Sequence, residues 1–397
     1  MSTATTTRTP RLSATLRDDR AQVTRLELFF DLVFVLALTQ CTALMAADPT
    51  WEGLARGLLV LGLLWWAWVG YSWLTSVIDP EEGAVRIVIF AVMAALLVCS
   101  LCVPEAFDDS ALLFAGAYAI VRTGQILLFV VASQGDPGLR KSVIGLGGST
   151  AVGVSLLIVA SFLDGAAQGA VWALALVLDM GGPLLMGVDG WKLSPGHFAE
   201  RHGLIVIVAL GESIVAIGVG ADAGVDAGVV AAAALGMVVA AGLWWLYFDV
   251  VALYAERRLS RAAVGREQNA IARDSYSFLH LPMVAGIVLI ALGMKKTLGE
   301  VADPLKLVPA FALLGGLAAY LLAHVAFRLR NARSLNRHRL VAAALALALL
   351  PLAIEIPALA TLALVAGVLV ALIAYETLRF SEARARLRHE VDEPATA

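Results

Sequence analysis

Residues 26–47 read LELFFDLVFVLALTQCTALMAA. At 1.5 Å per residue a helix of that length reaches about 33 Å, and the hydrocarbon core of a bilayer is about 30 Å thick. Its only charges are Glu27 and Asp31, so the stretch reads as a membrane-crossing helix rather than one face of a soluble core. Working outward on the same scale gives eleven more runs, about 54–77, 85–103, 110–133, 142–162, 167–187, 202–220, 227–254, 276–294, 305–327, 339–356 and 358–379. The expected fold is all-α: a polytopic bundle of about 12 transmembrane helices, with short connections and no soluble domain. The fifth run is rich in glycine. The division between the last two rests on Glu355-Ile356-Pro357; without a turn there, the count drops to eleven and the C-terminus changes side.

Composition agrees. Of 397 residues, 60% are hydrophobic and 15% charged, against about 25% charged in soluble domains. The net charge of -3 argues against nucleic acid as a partner, because a phosphate-binding surface needs a basic excess. Cys41, Cys99 and Cys102 all lie in apolar runs, which is no disulfide or zinc framework. The first residues are polar and have no apolar core of a signal peptide, so the first helix is expected to act as an uncleaved insertion signal. The expected organisation is a polar tail at 1–24, a first half at 25–190, a second half at 191–380 and a second tail at 381–397.

Basic residues test this map independently. With the N-terminus inside, 24 of the 29 Lys and Arg residues fall in cytoplasmic segments. Four lie outside (Arg56, Lys295, Lys296, Lys306), and Arg122 lies within a span. That bias follows the positive-inside rule and favours an even number of crossings with both termini cytoplasmic.

An internal repeat is faintly visible. Residues 35–40 (VLALTQ) resemble 207–212 (IVALGE), Leu64-Trp65-Trp66 matches Leu243-Trp244-Trp245, and Ala117-Tyr118…Arg122 matches Ala319-Tyr320…His324. Three matches in one order, each six helices apart, point to two parallel six-helix halves, an arrangement found in transporters.

Ionisable residues at mid-membrane are costly, about 2.5–3.5 kcal/mol each on insertion scales, and so need a partner, a wet cavity or a function. Glu212 falls mid-span in the seventh run and Arg122 mid-span in the fourth. Arg122 is the one cation at the depth of Glu212, so the two are expected to pair. Glu27 and Asp31, four apart, share a helix face. Asp179, Asp249, His280 and His324 fall in the cytoplasmic half. Tyr118, Arg122 and Gln125 form one polar stripe; Tyr320, His324 and Arg328 form another. Trp65, Trp66, Trp68 and Trp73 are read as packing or lipid-interface aromatics, and Gly181-Gly182-Pro183 either unwinds the sixth span at a site or merely ends the helix. The candidate substrate or ion set is Glu27, Asp31, Arg122, Glu212, Ser213 and His324. His197 and His202 are weak metal candidates: five apart, they share no helix face and match no fixed zinc spacing. No nucleotide-binding, nucleophile-elbow or dinucleotide motif occurs in a supporting context, so no cofactor is expected.

Two segments resemble a known family. Arg25-Leu26-Glu27-Leu28-Phe29-Phe30-Asp31-Leu32-Val33-Phe34-Val35 is similar to the E-L-F-F-D-L-V-F-V opening of the bacterial low temperature requirement A family, LtrA. His197-Phe198-Ala199-Glu200-Arg201-His202-Gly203-Leu204, followed by Ala209-Leu210-Gly211-Glu212-Ser213-Ile214, resembles its second motif. The resemblance implies a multi-pass protein of the bacterial plasma membrane and highlights Glu27, Asp31, Glu200, Arg201, Glu212 and Ser213, but it names no activity. A fainter likeness is to potassium channels carrying R-x-x-x-F-S-D in the first helix; here Phe30 stands where that motif has Ser.

Four functions fit the residues. The first is a proton- or cation-coupled secondary transporter of an unidentified small solute, with a site between the two halves. The second is an ion channel. The third is an enzyme acting on lipid, which requires His280, His324 and Asp249 to converge. The last is a structural role in cold growth. The expected partners are the lipid bilayer and a small solute or ion.

Overall fold

The computed structural model describes residues 22–220 and 226–382, and the two expected tails lie almost wholly outside them. The elements in order are α1 (Arg25–Ala47), α2 (Trp51–Thr75), α3 (Gly83–Cys102), α4 (Ala111–Ala132), α5 (Pro137–Ala160), α6 (Gly165–Leu185), α7 (Pro195–Gly220) and α8 (Ala227–Phe248). There follow α9 (Val251–Ser260), α10 (Arg266–Ile271), a π-helical turn (Ala272–Phe278), α11 (His280–Gly299), α12 (Leu307–Ala332), α13 (Arg337–Ala348), α14 (Leu350–Ala353) and α15 (Ala358–Arg379). No strand occurs among the described residues; an isolated bridge pairs Pro304 with Pro357. Eleven helical runs among them are long and apolar enough to cross a membrane.

The twelfth expected segment, 339–356, is helical but short and interrupted. Leu349 separates α13 from α14, next to Pro351, whose ring nitrogen has no proton to donate one turn back. The segment runs back along α12, on which both α13 and α14 pack. Ala358 N donates to Asp303 O at 2.9 Å, which places the far end of α14 level with the start of α12. Arg339 at the start of α13 pairs with Glu376 at the end of α15 at 2.9 Å, so α15 returns over the same span.

Local chemistry sets the helix starts. Thr24 and Glu27 form a reciprocal capping box on α1: Glu27 N donates to Thr24 Oγ1 at 3.3 Å, and Thr24 N donates to Glu27 Oε2 at 2.7 Å. Asp136 caps α5 through Leu139 N, Asp226 caps α8 through Val229 N, and Asn336 caps α13 through Arg339 N.

Packing divides the chain into two units. Among the described residues, the first comprises 22–34, 63–198 and 264–269; the second comprises 35–62, 199–220, 226–263 and 270–382. In the first, α3 packs on α4, α4 on α5 and α5 on α6. The glycines of α5 have a use there: a Cβ on Gly153 would lie 2.9 Å from Asp179 Cβ on α6, so only glycine permits that approach. Helix α6 continues through Pro183 and ends at Leu185, so of the two readings of Gly181-Gly182-Pro183 the structure favours the helix end over an unwound break. In the second unit, α11 packs on α12, α8 on α15 and α12 on α13. Gly286 and Gly316 bring α11 and α12 together: a Cβ on Gly286 would stand 2.7 Å from Gly316 O, and one on Gly316 would stand 2.8 Å from Gly286 O.

Candidate functional site

In the first unit the expected mid-membrane cation has a definite partner. Arg122 Nη2 donates to Asp179 Oδ1 at 2.8 Å and to Thr150 Oγ1 at 2.7 Å, and Nη1 donates to Gln125 Oε1. Thr150 in turn donates to Asp179 Oδ1 at 3.1 Å, and Arg122 and Asp179 are each 1% exposed. The expected pairing of Arg122 with Glu212 is therefore corrected: Asp179 neutralises Arg122. Depth along a helix identified the cation, but side-chain rotation about the helix axis decided its partner, and Gly153 on α5 makes room for Asp179.

Glu27, Asp31 and His197 also lie in this unit, all buried. His197 Nε2–H donates to Glu27 Oε1 at 2.8 Å, while its Nδ1 lies 3.1 Å from Ser76 Oγ. Asp31 accepts from Trp68 Nε1 at 2.8 Å. Trp65 and Trp68 are fully buried and stack with ring centres 5.2 Å apart. Packing is thus the right reading for these two rather than lipid-interface placement, and Trp68 has the further task of holding a carboxylate. Sequence reasoning missed Asp179 and Trp68 as partners; an apolar-span carboxylate two helices on from Arg122 and an indole N–H needing an acceptor were the available signals.

In the second unit, Glu212 of α7 is 1% exposed. The hydroxyl of Thr39 on α1 donates to its Oε2, and Thr42, one turn on, also interacts with it. No ion pair involving Glu212 occurs among the described residues; Lys295 acts on it only through space. Cys41, fully buried, lies within electrostatic reach of the same carboxylate. Thr39 and Glu212 belong to the two segments that resemble one another in sequence, and here those segments touch. The neighbouring Ser213 is fully buried.

A histidine cluster lies in the same unit. His280 Nδ1 donates to Ser275 O at 2.9 Å and its Nε2 accepts from the Tyr247 hydroxyl at 2.8 Å. The π-helical turn places Tyr276 parallel to His280, with ring centres 5.2 Å apart, and His202 meets both edge-on. The His324 ring also meets that of Tyr247 edge-on, 6.1 Å between ring centres. Among the described residues no group of three or more His, Cys, Asp or Glu is placed to hold a metal; His197 and His202 belong to different units.

His324 also lines a cavity of about 290 Å³ among the ends of α8, α12 and α15 and the starts of α9 and α13. Trp245, Phe327 and Phe380 supply apolar wall; Asp249, Arg328 and the Arg339–Glu376 pair supply charge. Glu376 and Arg339 escaped the sequence reading because both stand near helix ends, where charge is unremarkable. A parallel links the units: Tyr118 donates to Leu63 O at 3.3 Å in the first, and Tyr320 donates to Leu243 O at 2.7 Å in the second. Each tyrosine comes from one of the sequence-matched segments; Tyr118 reaches the residue just before Leu64-Trp65-Trp66, and Tyr320 reaches the first residue of Leu243-Trp244-Trp245.

Residues 22–374 match the family model for Bacterial low temperature requirement A protein (LtrA). The chain belongs to the LtrA family. A similar protein is RA0937 of Rhizobium meliloti (strain 1021), described as uncharacterized; it is 29% identical over 286 residues, covering 69% of each chain. No solved structure matches. In this LtrA protein the two family-like motifs supply buried groups. The first gives Glu27 and Asp31; the second gives His197, Arg201, His202, Glu212 and Ser213, while Glu200 between them is exposed. LtrA membership and eleven membrane-length helices together make this a multi-pass membrane protein.

Proposed function

We propose that this protein is a proton- or cation-coupled secondary transporter, with Glu212 as the coupling carboxylate and both termini in the cytoplasm. The observation supporting this reading is the setting of Glu212: a buried acid within a membrane-length helix, met by hydroxyls and, among the described residues, by no ion-pair partner. A charged carboxylate there is costly, so it binds a proton or draws in a metal cation, and exchanging one occupied state for the other is the chemistry of coupling. Thr39 and Thr42 serve both states, because a hydroxyl donates to a carboxylate and accepts from a carboxylic acid. The orientation rests on the 24 basic residues assigned to cytoplasmic segments.

The enzyme reading is weaker. His324 and Asp249 share a cavity wall, but both ring nitrogens of His280 are engaged by Ser275 O and the Tyr247 hydroxyl. The test is a stability screen of the purified protein beside Glu212→Gln across pH, alkali cations and common metabolites. A ligand at 100 times its Kd stabilises by about 2.7 kcal/mol. A cation or pH effect present in wild type and lost in Glu212→Gln supports coupling. Identical pH and cation responses in both proteins overturn it.

A further inference from the structure

His280 and His324 are local twins. Each donates its Nδ1 proton to a main-chain carbonyl, Ser275 O at 2.9 Å and Tyr320 O at 2.8 Å. A carbonyl only accepts, so in both rings Nδ1 bears the proton and Nε2 of the neutral imidazole presents a lone pair. In His280 that lone pair receives the phenol hydroxyl of Tyr247 at 2.8 Å. In His324 it has no hydrogen-bond partner among the described residues, although the residue is 2% exposed. A buried acceptor without a donor is costly, and a molecule supplying the donor recovers that cost on binding. His324 also lines the 290 Å³ cavity, whose other walls include Trp245, Phe327 and Phe380. That volume stands at the lower end of small-molecule sites, which run from about 300 Å³ upward.

We propose that this cavity binds a small, mainly apolar molecule bearing one O–H or N–H group, with that group donating to His324 Nε2 as the Tyr247 phenol does to His280. Aromatic walls receive the apolar body, and one ring nitrogen orients the head. Such a molecule comes either from the bilayer, as a lipid with a hydroxyl head, or from solution. The site stands independently of the transport reading, since neither Glu212 nor any coupling step enters the argument.

The test uses two probes of nearly equal size, 4-fluorophenol and 4-fluoroanisole, followed by fluorine NMR with full-length protein in nanodiscs. The first carries the donor and the second has it capped by a methyl group. Saturable binding of the phenol, about tenfold tighter than that of the anisole, is the expected result for a hydrogen bond to a buried acceptor. In His324→Phe the phenol is expected to fall to the anisole's affinity, and in Ala332→Trp, which fills the cavity, both are expected to lose saturable binding. The probe comparison needs no variant, so a misfolded His324→Phe leaves the test intact. Equal affinity of the two probes for wild type, or phenol binding unchanged by Ala332→Trp, overturns the proposal. Native mass spectrometry of the same preparation distinguishes the sources. A single copurified lipid displaced by 4-fluorophenol supports a bilayer ligand, and an empty protein that binds the phenol supports a solute.

Discussion

The Arg122–Asp179 pair offers the sharpest measurement. Replacing Asp179 by Asn keeps the shape and one acceptor oxygen but removes the negative charge from beside a guanidinium that is 1% exposed. Breaking a buried pair by removing one partner costs about 3–5 kcal/mol, because the surviving charge stays buried. Asparagine still accepts from Thr150 or Arg122, so the lower end, about 3 kcal/mol, is expected. That is about a hundredfold in the folded-to-unfolded ratio. The structure also sets the control. Arg122→Gln combined with Asp179→Asn removes both charges and leaves Thr150, Gln125 and Tyr118 to hydrogen-bond two amides. The double variant is therefore expected to be more stable than Asp179→Asn alone, with a coupling energy well above the about 0.5 kcal/mol scatter of independent sites. Unfolding in mixed micelles followed by tryptophan fluorescence suits the site, since Trp172 on the same helix as Asp179 packs on Phe114 with ring centres 5.1 Å apart. An Asp179→Asn variant within about 1 kcal/mol of wild type would refute the reasoning, because an uncompensated buried arginine cannot be that cheap.

Three further outcomes follow from other contacts. Gly316→Val should force α12 away from α11, where the new Cβ would stand 2.8 Å from Gly286 O, and should lower stability by about 1–3 kcal/mol in the same unfolding assay. Trp68→Phe removes the indole donor to Asp31 and should cost about 1–3 kcal/mol, with no such loss for Trp244→Phe on a half-exposed ring. At Asp136, the hydrogen bond from Lys192 and the amide of Leu139 hold the carboxyl below its usual range. A depressed folded value adds stability above the unfolded pKa of about 4 and loses it as pH falls through the folded one. The melting temperatures of wild type and Asp136→Asn should therefore differ at neutral pH and converge in acid; a gap that widens on acidification would contradict the sign.

How far the sequence carried the argument depended on the kind of information each element needed. Hydropathy alone located the helices, because a membrane core requires about twenty apolar residues in a row, and α1 and α15 needed nothing more. It also reached α5, whose glycines weaken a propensity argument but suit close helix packing. At 339–356 it ran one helix through a position that the structure interrupts, at Leu349 just before Pro351. The buried charged residues were legible by cost, and their partners were not. Arg122 meets Asp179 because α5 admits α6 at Gly153, a fact of rotation and approach that no one-dimensional spacing records. Glu27 was legible as an expensive acid, yet its position three residues after Thr24 already indicated a capping role that the membrane reading passed over. The cavity beside His324 was invisible because its walls come from five helix ends far apart in the chain.

Cys41 places a chemical reporter beside the buried carboxylate of Glu212. Its thiol is sealed from solvent and shares the surroundings of the carboxylate. A membrane-impermeant maleimide added from either side therefore reacts with it only when water reaches that depth. With Cys99 and Cys102 replaced by serine, the rate of labelling reads how often water reaches Glu212, and the side from which it succeeds reads from which face it comes.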